Sequence, residues 1–274
     1  MKNKTLTSVA GLMALAFSVP TAAVDLCHVA NAGFLIKGET ASVIIDGLMQ
    51  EDHYDGRFAL PSDTMVGAMM NQTGDFDNLR LVLSTHRHGD HFDPKATIRH
   101  LRQTANVKYA IPADALPTLE ANTLTEPEKD RLFVIEDGPQ SSFTHAGIEV
   151  QTFDVDHGPN QPQNVGYRVT VDGVSFFHTG DISATREQLA TAGVTAVPVD
   201  ALILPFWYGM GDPLQLQTIK ESWQAGRIVS THFTPDPQPW MERFGGINGV
   251  LKMVEDAHQN PLISTDEGEC TTFD

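Results

Sequence analysis

Thr85-His86-Arg87-His88-Gly89-Asp90-His91 follows directly on the apolar run Leu81-Val82-Leu83, and the reading of the whole chain starts from it. Three imidazoles and a carboxylate lie together in one short stretch. Neutral imidazole and carboxylate are ligands for zinc and related divalent ions, and a short loop keeps them within reach of one another. Such a pattern would arise by chance on the order of once in a thousand chains of this kind, so a merely solvated polar loop is a poor account of it. Leu79 to Ser84 has strand length and is apolar apart from Arg80 and Ser84, which suits a sheet buried on both faces. The motif therefore sits at the carboxyl end of a central strand, where open α/β sheets place their sites.

Working outward, Val29–Lys37 and Ala41–Asp46 read as two strands joined by a hairpin at Gly38-Glu39-Thr40. Residues 47–62 are polar and turn-rich and read as a long loop. Asp63 is expected to cap a short helix through Met70, and Asp93-Pro94 places a capping acid and an N1 proline at the start of another. Strands follow at Val107–Ala110, Arg131–Ile135, Ile148–Val155, Val165–Val171, Val174–His178, Ala201–Leu204 and Arg227–Ser230. Helices are expected at Pro112–Ala121, Ala184–Thr191, Pro213–Ala225 and Ile247–Ala257, with a terminal strand. No linker divides the chain, and the two halves share a coarse order without aligning residue by residue. The simplest account is one α/β domain with a sheet core and helices outside.

Three later strand ends carry ligand types with glycine or proline nearby: Asp156-His157-Gly158, Thr179-Gly180-Asp181 and Thr231-His232. His28, His53, His100, His145 and His258 lack that context and read as surface or satisfied core histidines. Strand alternation sets His178 apart from Thr179, as packing or support for the site.

The first 23 residues read as a cleaved signal peptide. Lys2 and Lys4 precede an uncharged run from Val9 to Val19, too short to span a bilayer, and small residues end at Ala23. Residues 24–274 are then the mature domain, exported to the periplasm or secreted, with no membrane anchor. Losing two lysines and no acid takes the net charge from −17 to −19. A field of that sign disfavours nucleic acid and anionic membranes as partners. A small-molecule substrate is the expected partner. Cys27 and Cys270 are the only cysteines, and in an exported chain they read either as one disulfide joining the ends or as two separate buried thiols.

In motif order the chain resembles the metallo-β-lactamase superfamily: HxHxDH at His86 to His91, His157, Asp181 in TGD, and His232. The resemblance implies an αββα sandwich, two mixed sheets flanked by helices. It implies a dinuclear centre with His86, His88 and His157 on one ion, Asp90, His91 and His232 on the other, and Asp181 bridging. Asp46 resembles the acid that orients a ligand histidine, and Asp90 has, by analogy, a catalytic role in handling the nucleophile's proton. The cofactors so implied are two divalent ions, zinc first, with manganese or iron as alternatives.

Two such ions sharing a water support hydrolysis of an ester, lactone, amide or phosphoester. Phe206-Trp207-Tyr208, Met210, Trp240, Met241 and Phe244 are candidate pocket walls, with Tyr208 a candidate oxyanion donor. The opening Asn31-Ala32-Gly33-Phe34-Leu35-Ile36 and the strand Gln163-Asn164-Val165-Gly166-Tyr167 look like the lactonase-like group related to ascorbate-phosphate lactonases, with Asn31 where that group has histidine. Two other readings stand beside the hydrolase: an iron-dependent oxidoreductase in the same cage, and a non-catalytic metal-binding protein.

Overall fold

Strands that are apolar at consecutive positions need cover on both faces, and the chain contains enough of them to build two sheets, each with one face towards the other and one towards helices. The computed structural model describes residues 22–138, 140–234 and 238–274; the expected signal peptide lies outside them but for Ala22 and Ala23. The first sheet takes β1 (Val24–Ala30), β2 (Gly33–Lys37), β3 (Ser42–Ile45), β4 (Leu79–Leu83), β5 (Lys108–Pro112) and β6 (Leu132–Ile135). The second takes β7 (Ser141–His145), β8 (Ile148–Asp154), β9 (Val165–Val171), β10 (Val174–His178), β11 (Val197–Pro205), β12 (Trp223–Thr231) and β13 (Leu262–Ile263). The last strand, β14 (Cys270–Phe273), returns to the first sheet.

The strand orders are β14-β1-β2-β3-β4-β5-β6 and β7-β8-β9-β10-β11-β12-β13. Read in those directions, each sheet has three antiparallel pairings followed by three parallel ones. The coarse repeat in the sequence is thus a repeat of topology, with β14 standing in the first sheet where β7 stands in the second.

Alternation along a strand sorts side chains between layers. Phe34 and Ile36 of β2 enter the core between the sheets, beside Tyr167, Val169 and Phe176. Leu35 points the other way, into the layer beneath α1 (Asp63–Asn71), α2 (Pro94–Gln103) and α3 (Leu116–Glu120). A short helix, α4 (Glu126–Lys129), precedes β6. On the far side α5 (Arg186–Thr191) and α6 (Pro213–Ser222) bury Leu189 and Ile219 against Phe177, Leu202 and Trp223. Val250 and Val254 of α7 (Gly246–Ala257) pack with Phe206, Phe233 and Met241. The result is the expected αββα sandwich.

Local signals set most boundaries. Asp93 caps α2 by accepting from the Lys95 and Ala96 amides at 2.9 Å each, and Ile98 and Leu101 face the core. Ser62, rather than Asp63, caps α1. Two expectations are corrected by long-range pairing. The apolar run Val29–Lys37 is two strands, broken at Asn31, whose φ of 48° turns the chain. The helix expected to reach Ala225 stops at Ser222, because Trp223–Ala225 pair in parallel with Val197–Val199. Cys27 and Cys270 lie opposite one another in the β1–β14 pairing, their Cα atoms 4.0 Å apart, and are bridged by a disulfide. Of the two readings of the cysteines, the bridged one holds.

Candidate metal centre

Six strand ends and turns of the two sheets open onto one edge of the sandwich, and each delivers a polar side chain there. The turn after β1 brings Asn31, the end of β3 Asp46, and the end of β4 the stretch Thr85–His91. His157 follows β8, Asp181 follows β10 and His232 follows β12. Asp46 and His232, with φ of 50° and 69°, hold a backbone conformation that non-glycine residues rarely adopt, at the points where their strands end.

Side-chain ligand atoms gather there in three overlapping groups: His86, His88 and His157; His86, His91 and Asp181; Asp90, His91 and His232. His157 Nε2 stands 3.3 Å from His88 Nδ1, and His91 Nε2 stands 3.0 Å from His232 Nε2. Asp181 lies between the groups. Its Oδ2 is 3.8 Å from both His86 Nε2 and His157 Nε2, while its Oδ1 is 3.4 Å from His91 Nε2 and 3.6 Å from His232 Nε2. Asp90 Oδ2 completes the second group at 3.2 Å from His232 Nε2. All seven expected ligands are therefore brought together. A separate group, Glu51, His53 and Asp93, is accounted for otherwise: Asp93 accepts four backbone amides and Glu51 pairs with Lys95.

Behind the ligands, Asp46 is buried and fully engaged. Its Oδ1 accepts from the Thr85 amide at 2.7 Å, and its Oδ2 from the Thr85 hydroxyl at 2.6 Å and from His91 Nδ1–H at 2.8 Å. The Thr85 oxygen can then accept from His86 Nδ1–H at 3.0 Å. One carboxylate thus sets the tautomers of two histidines, leaving each Nε2 lone pair facing inward. A second clamp comes from Asn164, whose amide donates to the carbonyls of Val155 and Thr179 at 2.9 Å each, tying together the strand ends that carry His157 and Asp181. Gly180 runs so close to this clamp that a Cβ would collide with Asn164 Oδ1, and its φ is 61°. Asn31 donates to Asp90 Oδ2 at 3.3 Å.

Charge is distributed as a cation site requires. Burial, reinforced by His91, holds His86 well below the usual imidazole range, and burial with His157 lowers His88. Burial opposes the charged forms of His91 and Asp181 too, but there the neighbours win. Asp181, Asp90 and Asp46 lift His91 well above its ordinary value, while His91 and His232 hold Asp181 well below its own. Three carboxylates thus surround one imidazole, a place where a cation is favoured. His86 Nε2 and Asp181 Oδ1 are buried without any hydrogen-bond partner, a costly state that an ion would relieve. A donor set of five imidazoles and two carboxylates converging on one another, with His86 Nε2 left without a partner, fits a pair of divalent ions.

Three of the other histidines are satisfied within the core, as expected: His28 bonds the Asp266 and Asn31 carbonyls, His100 bonds Tyr109 and the Met69 carbonyl, and His178 bonds the Ala32 carbonyl and accepts from the Gly180 amide.

Over the ligands lies a cleft of about 680 Å³. Phe206, Trp207 and Trp240 line it as the sequence suggests, and Tyr54, Arg57 and Phe58, from the loop read only as polar, line it too. Phe58 and Trp207 flank the His232 ring edge-on at 5.3 and 4.7 Å. Tyr208 is corrected: its hydroxyl donates to the Ala184 carbonyl at 2.7 Å and leaves no donor for an oxyanion here. Met241 is core, fully buried, and Met210 and Phe244 pack against the same cluster.

A family model described as Beta-lactamase superfamily domain matches residues 60–236. Among solved structures, Igni18, a metallo hydrolase from the archaeon Ignicoccus hospitalis, aligns at 17% identity and a TM-score of 0.54, over 92% of this chain and 99% of that one. The metallo-beta-lactamase fold protein YhfI from Bacillus subtilis aligns at 13% and 0.59, over 92% and 100%. CmlA, a diiron beta-hydroxylase from Streptomyces venezuelae, aligns at 14% and 0.55, over 93% of this chain and 54% of its own. No curated protein matches the sequence. These structural likenesses concern the fold.

Proposed function

The chain belongs to the beta-lactamase superfamily, and on that premise we propose that it is an exported, dinuclear metal-dependent hydrolase of an ester, lactone, amide or phosphoester. His86, His88 and His157 would hold one ion and Asp90, His91 and His232 the other, with Asp181 placed between the two groups. The observation that carries this reading is the division of Asp181, one oxygen towards each group, with His86 Nε2 buried and without a hydrogen-bond partner. Zinc is the first expectation for a donor set so rich in imidazole, with manganese or iron as alternatives.

Bound divalent ions supply Lewis acidity and bring a water's pKa towards neutrality. The rest is the work of the chain's own residues. Asp46, through Thr85 and directly, keeps the lone pairs of His86 and His91 aimed inward. Asp90 faces both the second group and the cleft, where its carboxylate can take up the proton of an attacking water. Phe58, Trp207 and Trp240 exclude bulk water and receive the apolar part of a small molecule. Among the described residues no helix is long and apolar enough to cross a membrane. Lys2, Lys4 and the uncharged run to Val19 support export, as does the Cys27–Cys270 bridge, since disulfides persist outside the reducing cytoplasm. The resemblance of Asn31–Ile36 and Gln163–Tyr167 to the lactonase-like group makes lactones the first substrates to try.

Metal analysis of protein taken from its native compartment, followed by lactone, ester and phosphodiester panels, tests the reading. Two equivalents per chain are expected, with activity falling by at least about 100-fold in His86→Ala. Clearly fewer than two equivalents in the wild type, or undiminished turnover by His86→Ala, refutes it. Bound iron with oxygen consumption would assign the chain to oxidative chemistry, and stoichiometric metal without turnover on any panel would leave a metal-binding protein.

A further inference from the structure

Arg57 stands out from the other basic residues. The chain has 35 acidic and 18 basic residues, and several cations elsewhere on the surface find a carboxylate, as Lys37 does with Asp75, Arg87 with Asp114 and Arg102 with Glu128, so what sets Arg57 apart is its place. Arg57 forms no ion pair with any described residue, and among the described residues lining the cleft it is the only lysine or arginine. It is also held in place. Asp52 accepts from the Tyr54 amide at 2.9 Å and the Gly56 amide at 2.6 Å, and the Arg57 amide donates to the Tyr54 carbonyl at 3.2 Å. Asp55 and Gly56, with φ of 54° and 75°, complete a closed turn. At its base, Asp93 accepts the Gln50 and Glu51 amides, anchoring the loop to the start of α2. The guanidinium is thus presented from a built turn and not from a free tail, and Tyr54 and Phe58 lie on either side of it in sequence, packed edge-on with ring centres 5.1 Å apart.

A guanidinium left unpaired in an acidic protein, at the wall of an aromatic cleft, is suited to a planar oxyanion that it can grip with two parallel N–H bonds. We propose that Arg57 is the specificity residue of the cleft and that the substrate carries a carboxylate or phosphate group, set apart from the scissile bond, on an apolar or aromatic body. The aromatic wall of Phe58, Trp207 and Trp240 takes the body while Arg57 takes the anion. This assignment deepens the hydrolase reading and rests on it for turnover, but not for binding.

The test compares 4-acetoxybenzoate and 4-acetoxyphenyl phosphate with neutral methyl 4-acetoxybenzoate on metal-loaded wild type, Arg57→Gln, Arg57→Lys and Arg57→Glu. The ratio of kcat/KM for an anionic ester over the neutral one should fall about tenfold in Arg57→Gln, chiefly through KM, partly recover in Arg57→Lys and fall furthest in Arg57→Glu. The anion that responds identifies the group. Ratios within about twofold of wild type in all three variants overturn the proposal. Binding of 4-phenylbutanoate against 4-phenylbutanamide, followed by tryptophan fluorescence, separates this failure from failure of the hydrolase reading. A carboxylate preference that Arg57→Gln abolishes stands without any turnover, and equal affinity of wild type for the acid and the amide overturns it.

Discussion

Replacing Asp46 with asparagine is the sharpest test of how the centre is held. Asparagine tolerates the positive φ of 50° at this position, so the turn at the end of β3 survives. Its carbonyl oxygen can keep the bond from the Thr85 amide, now 2.7 Å long. Its NH2 group, however, faces two donors, the Thr85 hydroxyl at 2.6 Å and His91 Nδ1–H at 2.8 Å. Each donor left unsatisfied in a buried site costs about 1–3 kcal/mol. The cheaper escape is for His91 to move its proton to Nε2, which takes its lone pair out of the centre. Thr85 loses its acceptor at the same time and with it the hold on His86 Nδ1. The penalty should therefore fall on metal affinity, by about 10- to 100-fold, or about 1.4–2.7 kcal/mol. Titration of the metal-free variant against a chromophoric chelator reads it directly. The second ion, which depends on His91, should weaken more than the first, and Thr85→Val should weaken binding less than Asp46→Asn. Ion affinities within about twofold of wild type in a natively folded Asp46→Asn protein would refute the reasoning.

Two further outcomes are expected. Breaking the Cys27–Cys270 bridge, which spans 243 positions, with Cys27→Ser and Cys270→Ser should cost about 2–5 kcal/mol of unfolding free energy, read by denaturant titration; equal midpoints for oxidised and reduced wild type would contradict it. His100 is buried as the neutral form, bonded to Tyr109 and the Met69 carbonyl, and burial lowers it to about 4. Unfolding releases an imidazole that titrates near 6.5, so the unfolded chain binds the extra proton between those values, and stability should fall by about 3 kcal/mol as pH drops from 6.5 to 4. Denaturant midpoints across that range should show a shallower slope in His100→Asn, and an unchanged slope would exclude His100 as the source.

The ligand set was legible because each of its parts is local: a motif of six residues, or one polar residue placed directly after an apolar strand. Asp46 was legible for the same reason. Long-range pairing was not. Nothing within Pro213–Ala225 says that the helix must end at Ser222, since the preference for strand from Trp223 comes from partners in β11. β7, with alternate residues exposed, has too little apolar content to announce itself, and its pairing with β8 makes it a strand. Tyr54, Arg57 and Phe58 sit in a segment with no periodicity. They reach the cleft because Asp93 holds one end of the loop and Glu267, accepting from the Ser62 amide and hydroxyl, holds the other. Tyr208 failed for a related reason, because the partner of its hydroxyl, the carbonyl of Ala184, lies in a distant part of the chain.

The place of β14 beside β1 bears on the order in which the molecule can be assembled. β1 and β14 are separated in sequence by every other strand of both sheets, so the first sheet keeps an open rim until β14 docks. Contacts of such sequence separation form late and slowly, and an unpaired rim invites pairing with other chains. Val24 to Cys27 find their partners, Phe273 to Cys270, at the far end of that separation, 243 positions away for Cys27. Closure of the sheet and formation of the covalent bridge are then coupled, and a molecule in which β14 has not docked would have the ligand residues of the centre in hand but an unsealed sheet beneath them.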